Sequence, residues 1–547
     1  MHQSAKQLPR QFHSSSRPTM SKSAPQDIES SRKRILNSSI SPDRASNIDG
    51  QTLQETGNVQ ELAKNFSLWS LAGTGILVGN VWPALGGSIL VAIYNGGPPG
   101  VLYEFMVASC FYFIVAASLA ELASSMPSSA GPYLWASVTP GKKYGRSVGF
   151  FAGWWNVLAW IFAAASMSAI CANVMVQMYA FSHPSLLVKS WHVFVAYLLI
   201  TWSCCAAVCF FNRFMPMLNK LGIFVTVAGA LVTILVCAIM PSLSGRAGHA
   251  SSQTVWSSWT ADLGYPDGFV FVAGMLNGSY AMGTPDSTSH LSEEIPEPSK
   301  NVPKAIAMQY VIGLVSGLAY LIAILYAIND YDALFTSPFP IAEIYHQATN
   351  STSGTIGLLT LLLLPTIICV VTLYITCGRT LWALSRDGAT PFPGFLGHVN
   401  PKLGLPANAT LSCCALVTVL GCIYVGSVTA FNAFVGSFVL MSTSSYIASL
   451  LPFLLRARQG IEFGHFRLPQ SLGFIFNFVA CAFMTVWFVI YCFPYSLPTN
   501  AQTMNYSSLI WGGLTILIGL WWLLYARSTY PGVVVPPSQA SNMVEMR

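Results

Sequence analysis

The sequence predicts an all-α polytopic membrane protein of about 12 transmembrane helices, in a five-plus-five inverted repeat with helices one and six discontinuous. Three observations predict it. Only 8% of the 547 residues are charged and 53% are hydrophobic, with mean hydropathy +0.54, whereas a soluble domain carries roughly 25% charged residues. Apolar runs near the ~20 residues that cross a bilayer recur along the chain, and they are continuous rather than alternating, which argues against a β-barrel. The first and sixth runs are interrupted by Gly, Asn and Pro, and interruptions at corresponding positions of two halves point to inverted repeats.

The runs lie near 66–94, 99–126, 147–178, 191–211, 217–241, 268–290, 305–328, 356–383, 407–427, 430–455, 472–493 and 506–526. Residues 1–64 are polar and rich in Ser, Pro, Lys and Arg, a composition expected to be disordered. They contain no apolar core of a cleavable signal peptide. Residues 65–527 form the expected membrane domain, and 528–547 a short second tail. With both termini placed in the cytoplasm, 24 of the 26 Lys and Arg fall inside and only Lys189 and Arg246 outside, as the positive-inside rule requires. The net charge of +6 is thus a matter of topology and gives no reason to expect nucleic acid as a partner.

The chain lacks phosphate-loop, HExxH and GxSxG elements, and its loops leave no room for a soluble catalytic domain. No enzyme, cofactor or metal site is expected. The 13 cysteines fall within the spans without metal-ligand spacing and read as small packing residues. Secondary transport is the leading class, with a channel or a nutrient sensor as alternatives. Asn350 and Asn505 head glycosylation sequons in expected outer loops.

Polarity within the spans marks candidate sites, because a carboxylate at depth costs at least ~2.5 kcal/mol. Glu104, Glu121 and Asp286 are the three acidic residues well inside apolar runs. Asp286 follows Gly278, Gly283 and Pro285, so residues 276–285 are expected to unwind and expose backbone, with a half-helix returning from Asp286 to His290. Gly79, Asn80, Pro83, Gly86 and Gly87 interrupt span one, and Gly73-Thr74-Gly75 is a second candidate break. The expected substrate-binding set is Gly79, Asn80, Trp82, Gly278, Ser279, Tyr280, Asp286 and Trp155. Trp154, Trp160 and Tyr374 supply further rings. Each aromatic also has a plain packing reading. Asp286 reads as a counter-charge or proton carrier, or else as a helix cap. Glu121 is expected to pair with Lys142 or Arg146, Glu104 to face the interface, and Glu293 and Glu294 to close an inner gate or to be solvated.

Three motifs carry a family resemblance: SLAELASSMPSSAGPYLWASVTP at 118–140, TPDSTSHLSEEIPEPSKNVPKAI at 284–306 and SRDGATPFP at 385–393. They resemble signatures of the amino acid–polyamine–organocation superfamily, and the second resembles its fungal amino acid/choline branch. The resemblance spans about residues 66–527. It implies spans one and six unwound around the substrate and proton-coupled import across the plasma membrane, with protons and lipid as the other partners. It also implies a small nitrogenous cargo such as choline, GABA or another amino acid, with choline narrowly leading because quaternary ammonium groups favour aromatic faces. An exporter or vacuolar carrier of an amine metabolite is the alternative.

Overall fold

The computed structural model describes residues 62–243, 246–426, 430–534 and 539. Most of the two expected tails, residues 1–61 and nearly all of 535–547, lies outside them. Ten helical stretches are long and apolar enough to cross a membrane. One of them, Ser190–Ser242, holds two crossings, Ser190–Phe211 (span 4) and Met215–Ile239 (span 5), joined at the tight turn Asn212–Phe214. The sixth crossing is in pieces too short to count alone, Asp267–Gly274 and Leu276–Met282. Among the described residues the crossings therefore number twelve.

The remaining spans are Leu68–Gly79 with Val81–Gly87 (span 1), Gly97–Ser125 (span 2), Lys142–Ser182 (span 3), Pro298–Tyr326 (span 7), Thr352–Arg386 (span 8), Ala407–Gly426 (span 9), Ala430–Leu455 (span 10), Gln470–Ile490 (span 11) and Ser507–Thr529 (span 12). Span 2 packs on span 7, span 3 on span 8 and span 4 on span 9. Each touches its counterpart five crossings later, as two interlocked repeats would. Spans 1 and 3 form the inside of the bundle, 89% buried over their most apolar windows, whereas span 12 is only 11% buried and faces outward. The ends bearing Lys142, Arg146, Arg379, Arg386 and Arg458 define one basic side.

Lipid supplies no hydrophobic drive between helices, so close approach through small residues holds such bundles together. A Cβ on Gly73 would lie 2.7 Å from the Asn219 carbonyl oxygen of span 5, and one on Gly222 would lie 2.6 Å from Leu77. Spans 1 and 5 interlock through a glycine on each. The Gly73-Thr74-Gly75 stretch is therefore unbroken helix, and the expected second break is a contact surface. Gly86 and Gly87 likewise admit Tyr320 and Ile170. Gly73→Ala is expected to cost about 1–3 kcal/mol. An unchanged thermal midpoint of the detergent-solubilised protein would show that the two spans do not meet this closely.

Span 1 breaks at Asn80, which is left-handed (φ 41°, ψ 42°), a conformation Asn tolerates better than most residues. Its N–H closes the first piece on Ile76 O (2.8 Å), and its carbonyl accepts from Ala84 N–H (2.8 Å) to open the second. Pro83 sits in the first turn of that piece, where a missing N–H costs nothing. Span 6 is interrupted by a turn at Met275, runs as helix again to Met282 and unwinds at Gly283, then resumes as the 3-10 turn Ser289–Glu294. Its freed carbonyls have donors. Met282 O accepts from the Tyr310 hydroxyl and Thr284 O from the Gln309 amide (3.2 Å), while Gly283 O lies 3.2 Å from the Tyr446 hydroxyl, whose one hydrogen is also within reach of Asp286 Oδ1. The expected break at 276–285 thus begins late, and its carbonyls are satisfied by side chains from spans 7 and 10, because bare backbone at membrane depth is too costly.

Both ends of the described chain pack on the basic side. Leu62 and Phe66 are buried, and Phe66 N–H donates to Glu294 O. The buried Tyr530 shares a 2.7 Å hydrogen bond with Tyr133. Burial pushes the nearby Asp387 carboxyl up to about 6, against the pull of Arg386.

Candidate substrate and proton site

Asp286 lies in the unwound part of span 6, fully buried, and draws three elements together. Its Oδ2 accepts from Asn156 Nδ2 of span 3 (2.7 Å) and lies 3.1 Å from His290 Nε2, while Oδ1 accepts from the Tyr446 hydroxyl of span 10 (2.5 Å). No half-helix returns from Asp286 to His290. Asp286 is held in a turn, and helical bonding resumes only at Ser289.

The hydrogen bonds around His290 constrain its protons. Nδ1 faces only an acceptor, Ser129 O (2.9 Å), so it carries hydrogen. Nε2 faces the Trp160 indole N–H, a pure donor, at 3.2 Å and Asp286 Oδ2 at 3.1 Å. With hydrogen on Nδ1, a neutral ring keeps one lone pair at Nε2 and can accept from Trp160, whereas a doubly protonated ring donates to Asp286 and strands the indole N–H. Asp286 Oδ2 and His290 Nε2 stand within hydrogen-bond distance of each other.

Beside it stands an aromatic cluster. Tyr280 meets Phe438 edge-on (centroids 5.8 Å, 88°), and Trp160 lies 6.2 Å from the same Phe438. The Tyr280 hydroxyl bonds Ser166 Oγ at 2.7 Å. Phe438 left no mark in the sequence, since one phenylalanine in an apolar span looks like any other. Unpartnered buried polar atoms gather at the two breaks: both amide atoms of Asn80, Asn156 Oδ1 and Thr288 Oγ1. Such groups are rare in folded proteins and call for a partner. A Cβ on Gly79 would lie 3.1 Å from Gln309 Nε2, so that glycine brings span 1 against the span 6 break.

Other expected site residues lie elsewhere. Trp82 turns away, donating to Thr226 O of span 5 (3.0 Å) and packing on Tyr320 of span 7. Trp155 sits toward the periphery, bonded to Thr515 and stacked on Trp511 of span 12, and Trp154 donates to Ala389 O. Gly278 admits Ala108 and Phe105 of span 2 rather than a ligand. Ser279 Oγ bonds the Tyr491 hydroxyl (2.7 Å). Tyr374 is buried with its hydroxyl unpartnered.

Glu293, Glu294 and Glu121 are paired and buried, not solvated. Glu294 takes Arg379 Nε at 2.7 Å and Nη2 at 3.2 Å, both side chains buried. Glu293 pairs with Arg386 (3.1 Å) and accepts from Ser128 Oγ and Ser129 N–H. Glu121 pairs with Arg458 (2.6 Å), not with Lys142 or Arg146, and also caps Leu468 N–H. Arg458 lies far along the chain in the 10–11 loop, beyond reach of any local pattern. Glu104 is buried, contrary to the expected interface position. Asn350 is exposed. Asn505 is not, and its amide donates to Tyr491 O (2.6 Å) and Phe493 O (3.1 Å), bonds a glycan would displace.

A bundle of twelve spans, broken at the first and sixth around a buried polar centre, is the architecture of a multi-pass membrane transporter. The sequence matches the amino acid permease family over residues 66–514, and the chain belongs to that family. A choline transporter of Saccharomyces cerevisiae is 30% identical over 470 residues, covering 84% of this chain and 81% of the relative. A swainsonine transporter of Arthroderma benhamiae is 28% identical over 491 residues, covering 89% and 95%. Among solved structures, a manganese transporter of Eremococcus coleocola superposes with a TM-score of 0.55 at 13% identity, covering 88% of this chain and 95% of that one, a likeness of fold alone. The protein is a transporter of small nitrogenous solutes.

Proposed function

We propose that the protein imports a small amine across the plasma membrane together with a proton, with both termini cytoplasmic, and that choline leads GABA as cargo. The observation that carries this reading is the buried Asp286, 3.1 Å from His290 Nε2 and set beside Trp160, Tyr280 and Phe438. A quaternary ammonium has no N–H to donate. It needs ring faces and a nearby negative charge, and desolvated cation–π contact is worth ~2 kcal/mol. The positive-inside distribution supports the orientation, and the similarity to a choline transporter supports the cargo. The carboxylate then serves as counter-charge and proton acceptor. Glu293–Arg386 and Glu294–Arg379 close the basic side as an inner gate.

Radiolabelled choline, GABA, polyamines and amino acids supplied to transporter-null cells test the assignment. Choline uptake that falls when the proton gradient is collapsed is the expected result. In Phe438→Leu the half-saturating choline concentration is expected to rise about tenfold, from loss of ~1–2 kcal/mol of ring–cation attraction. An unaltered value would remove Phe438 from the site, and preferential uptake of GABA would replace choline as cargo.

A further inference from the structure

Glu104 lies two turns into span 2 from the side opposite the basic one. It is 1% exposed, and neither carboxylate oxygen has a hydrogen-bond partner. Space is made for it: a Cβ on Gly274 of span 6 would lie 2.1 Å from Glu104 Oε1, and one on Gly100 would lie 3.4 Å from it. The elements packed on span 2 bring no cation near. Span 11 and span 10 carry no charged residue, the helical pieces of span 6 carry only the exposed Asp267 at the tip, with Asp286 beyond them in the unwound part, and Lys300 and Lys304 of span 7 are at its far, basic end. An isolated carboxylate in such surroundings is stable only with a proton on it.

The Tyr491 hydroxyl lies within the electrostatic field of Glu104. From there buried hydroxyls lead inward. Tyr491 bonds Ser279 Oγ at 2.7 Å, and the Tyr112 hydroxyl faces Ser279 and Thr443. Tyr446 lies in the field of Tyr112 and bonds Asp286 Oδ1 at 2.5 Å. Each hydroxyl can accept one hydrogen and donate another.

We propose that Glu104 is a second proton-binding site, the outer station of a hydroxyl path through Tyr491, Ser279, Tyr112 and Tyr446 to Asp286. This rests on the proton-coupled reading above. Glu104 takes a proton from the outer side and becomes the neutral acid. On release, each hydroxyl accepts one hydrogen and passes on its own, Glu104 returns to the carboxylate, and Asp286 becomes the acid. The steps from Glu104 to Tyr491 and from Tyr112 to Tyr446 exceed direct hydrogen bonding and proceed through water.

The test uses the full chain in liposomes with the membrane potential clamped at zero. Choline uptake driven by a pH gradient is compared with choline exchange at equal pH. Glu104→Gln, which preserves shape, is expected to slow gradient-driven uptake by about a hundredfold, the scale of a lost proton-transfer group, and to leave exchange within about twofold. Infrared spectra at neutral pH should lose a carboxylic-acid carbonyl band in the variant. Gradient-driven uptake at the wild-type rate overturns the proposal, as does an equal fall in both rates, which would make Glu104 structural. Sodium-dependent wild-type uptake that Glu104→Gln abolishes overturns it too, assigning the carboxylate to a metal cation. Wild-type uptake indifferent to the pH gradient is a different failure, that of proton coupling itself.

Discussion

Asp286→Asn is expected to abolish gradient-driven accumulation while leaving cargo exchange at equal pH measurable. Asparagine keeps the side chain's size and the acceptor for the Tyr446 hydroxyl, so the fold around the break should survive. It cannot take up and release a proton as a carboxylate does. One proton per cargo across one pH unit supports about tenfold accumulation, the 1.36 kcal/mol that a pH unit represents. Asp286→Asn vesicles should equilibrate to a ratio near unity, and their initial rate should lose its pH dependence. Accumulation that persists, with only the half-saturating choline concentration raised, would reduce Asp286 to a counter-charge.

Arg379→Met is the second large effect. It strips the buried Glu294 of its partner in the closed basic side, and breaking a buried pair costs ~3–5 kcal/mol. At the lower end that is about a 150-fold shift toward states in which Glu294 reaches water. Ser289, buried beneath Gly131, is a suitable reporter. In a Ser289→Cys background, Arg379→Met should speed modification by a membrane-impermeant thiol reagent from the basic side. Adding Glu294→Leu removes the stranded charge and should slow it again. Equal labelling with and without Arg379 would rule out this pair as a gate. Fast labelling in the double variant would point to general loosening.

The class of protein was open to view in the sequence because composition and span length answer to the bilayer alone. Twelve runs and a lopsided Lys and Arg distribution require no knowledge of which helix touches which. The breaks were half legible. Asn80 and Gly283 do end helices, but Gly73, Gly86 and Gly278, chemically the same signal, serve close approach instead. A glycine frees backbone or admits a neighbour according to what lies opposite it, and local sequence does not hold that information.

Asp286 stood out from the sequence, since a carboxylate inside an apolar run demands a reason wherever it points. His290 is four residues away, but Asn156 and Tyr446 did not stand out, because they come from distant stretches of chain. Direction was hidden too. Trp82 sits next to a break yet turns toward spans 5 and 7, while Phe438, without any polar or conformational mark, supplies the ring beside Tyr280. Glu104 was expected to face the interface because helix ends usually do, and packing against Gly274 buried it.

The sequence by itself determined that the chain lives in a bilayer, how often it crosses, which side its cations favour and where two crossings are weak. These follow from solvation, a property of each residue and its near neighbours. Only the tertiary structure decided which polar groups inside the bundle meet, which carbonyls are already satisfied and which acids find a base. In a low-dielectric interior those pairings set the energy, and that of Glu121 with Arg458 joins residues 337 positions apart.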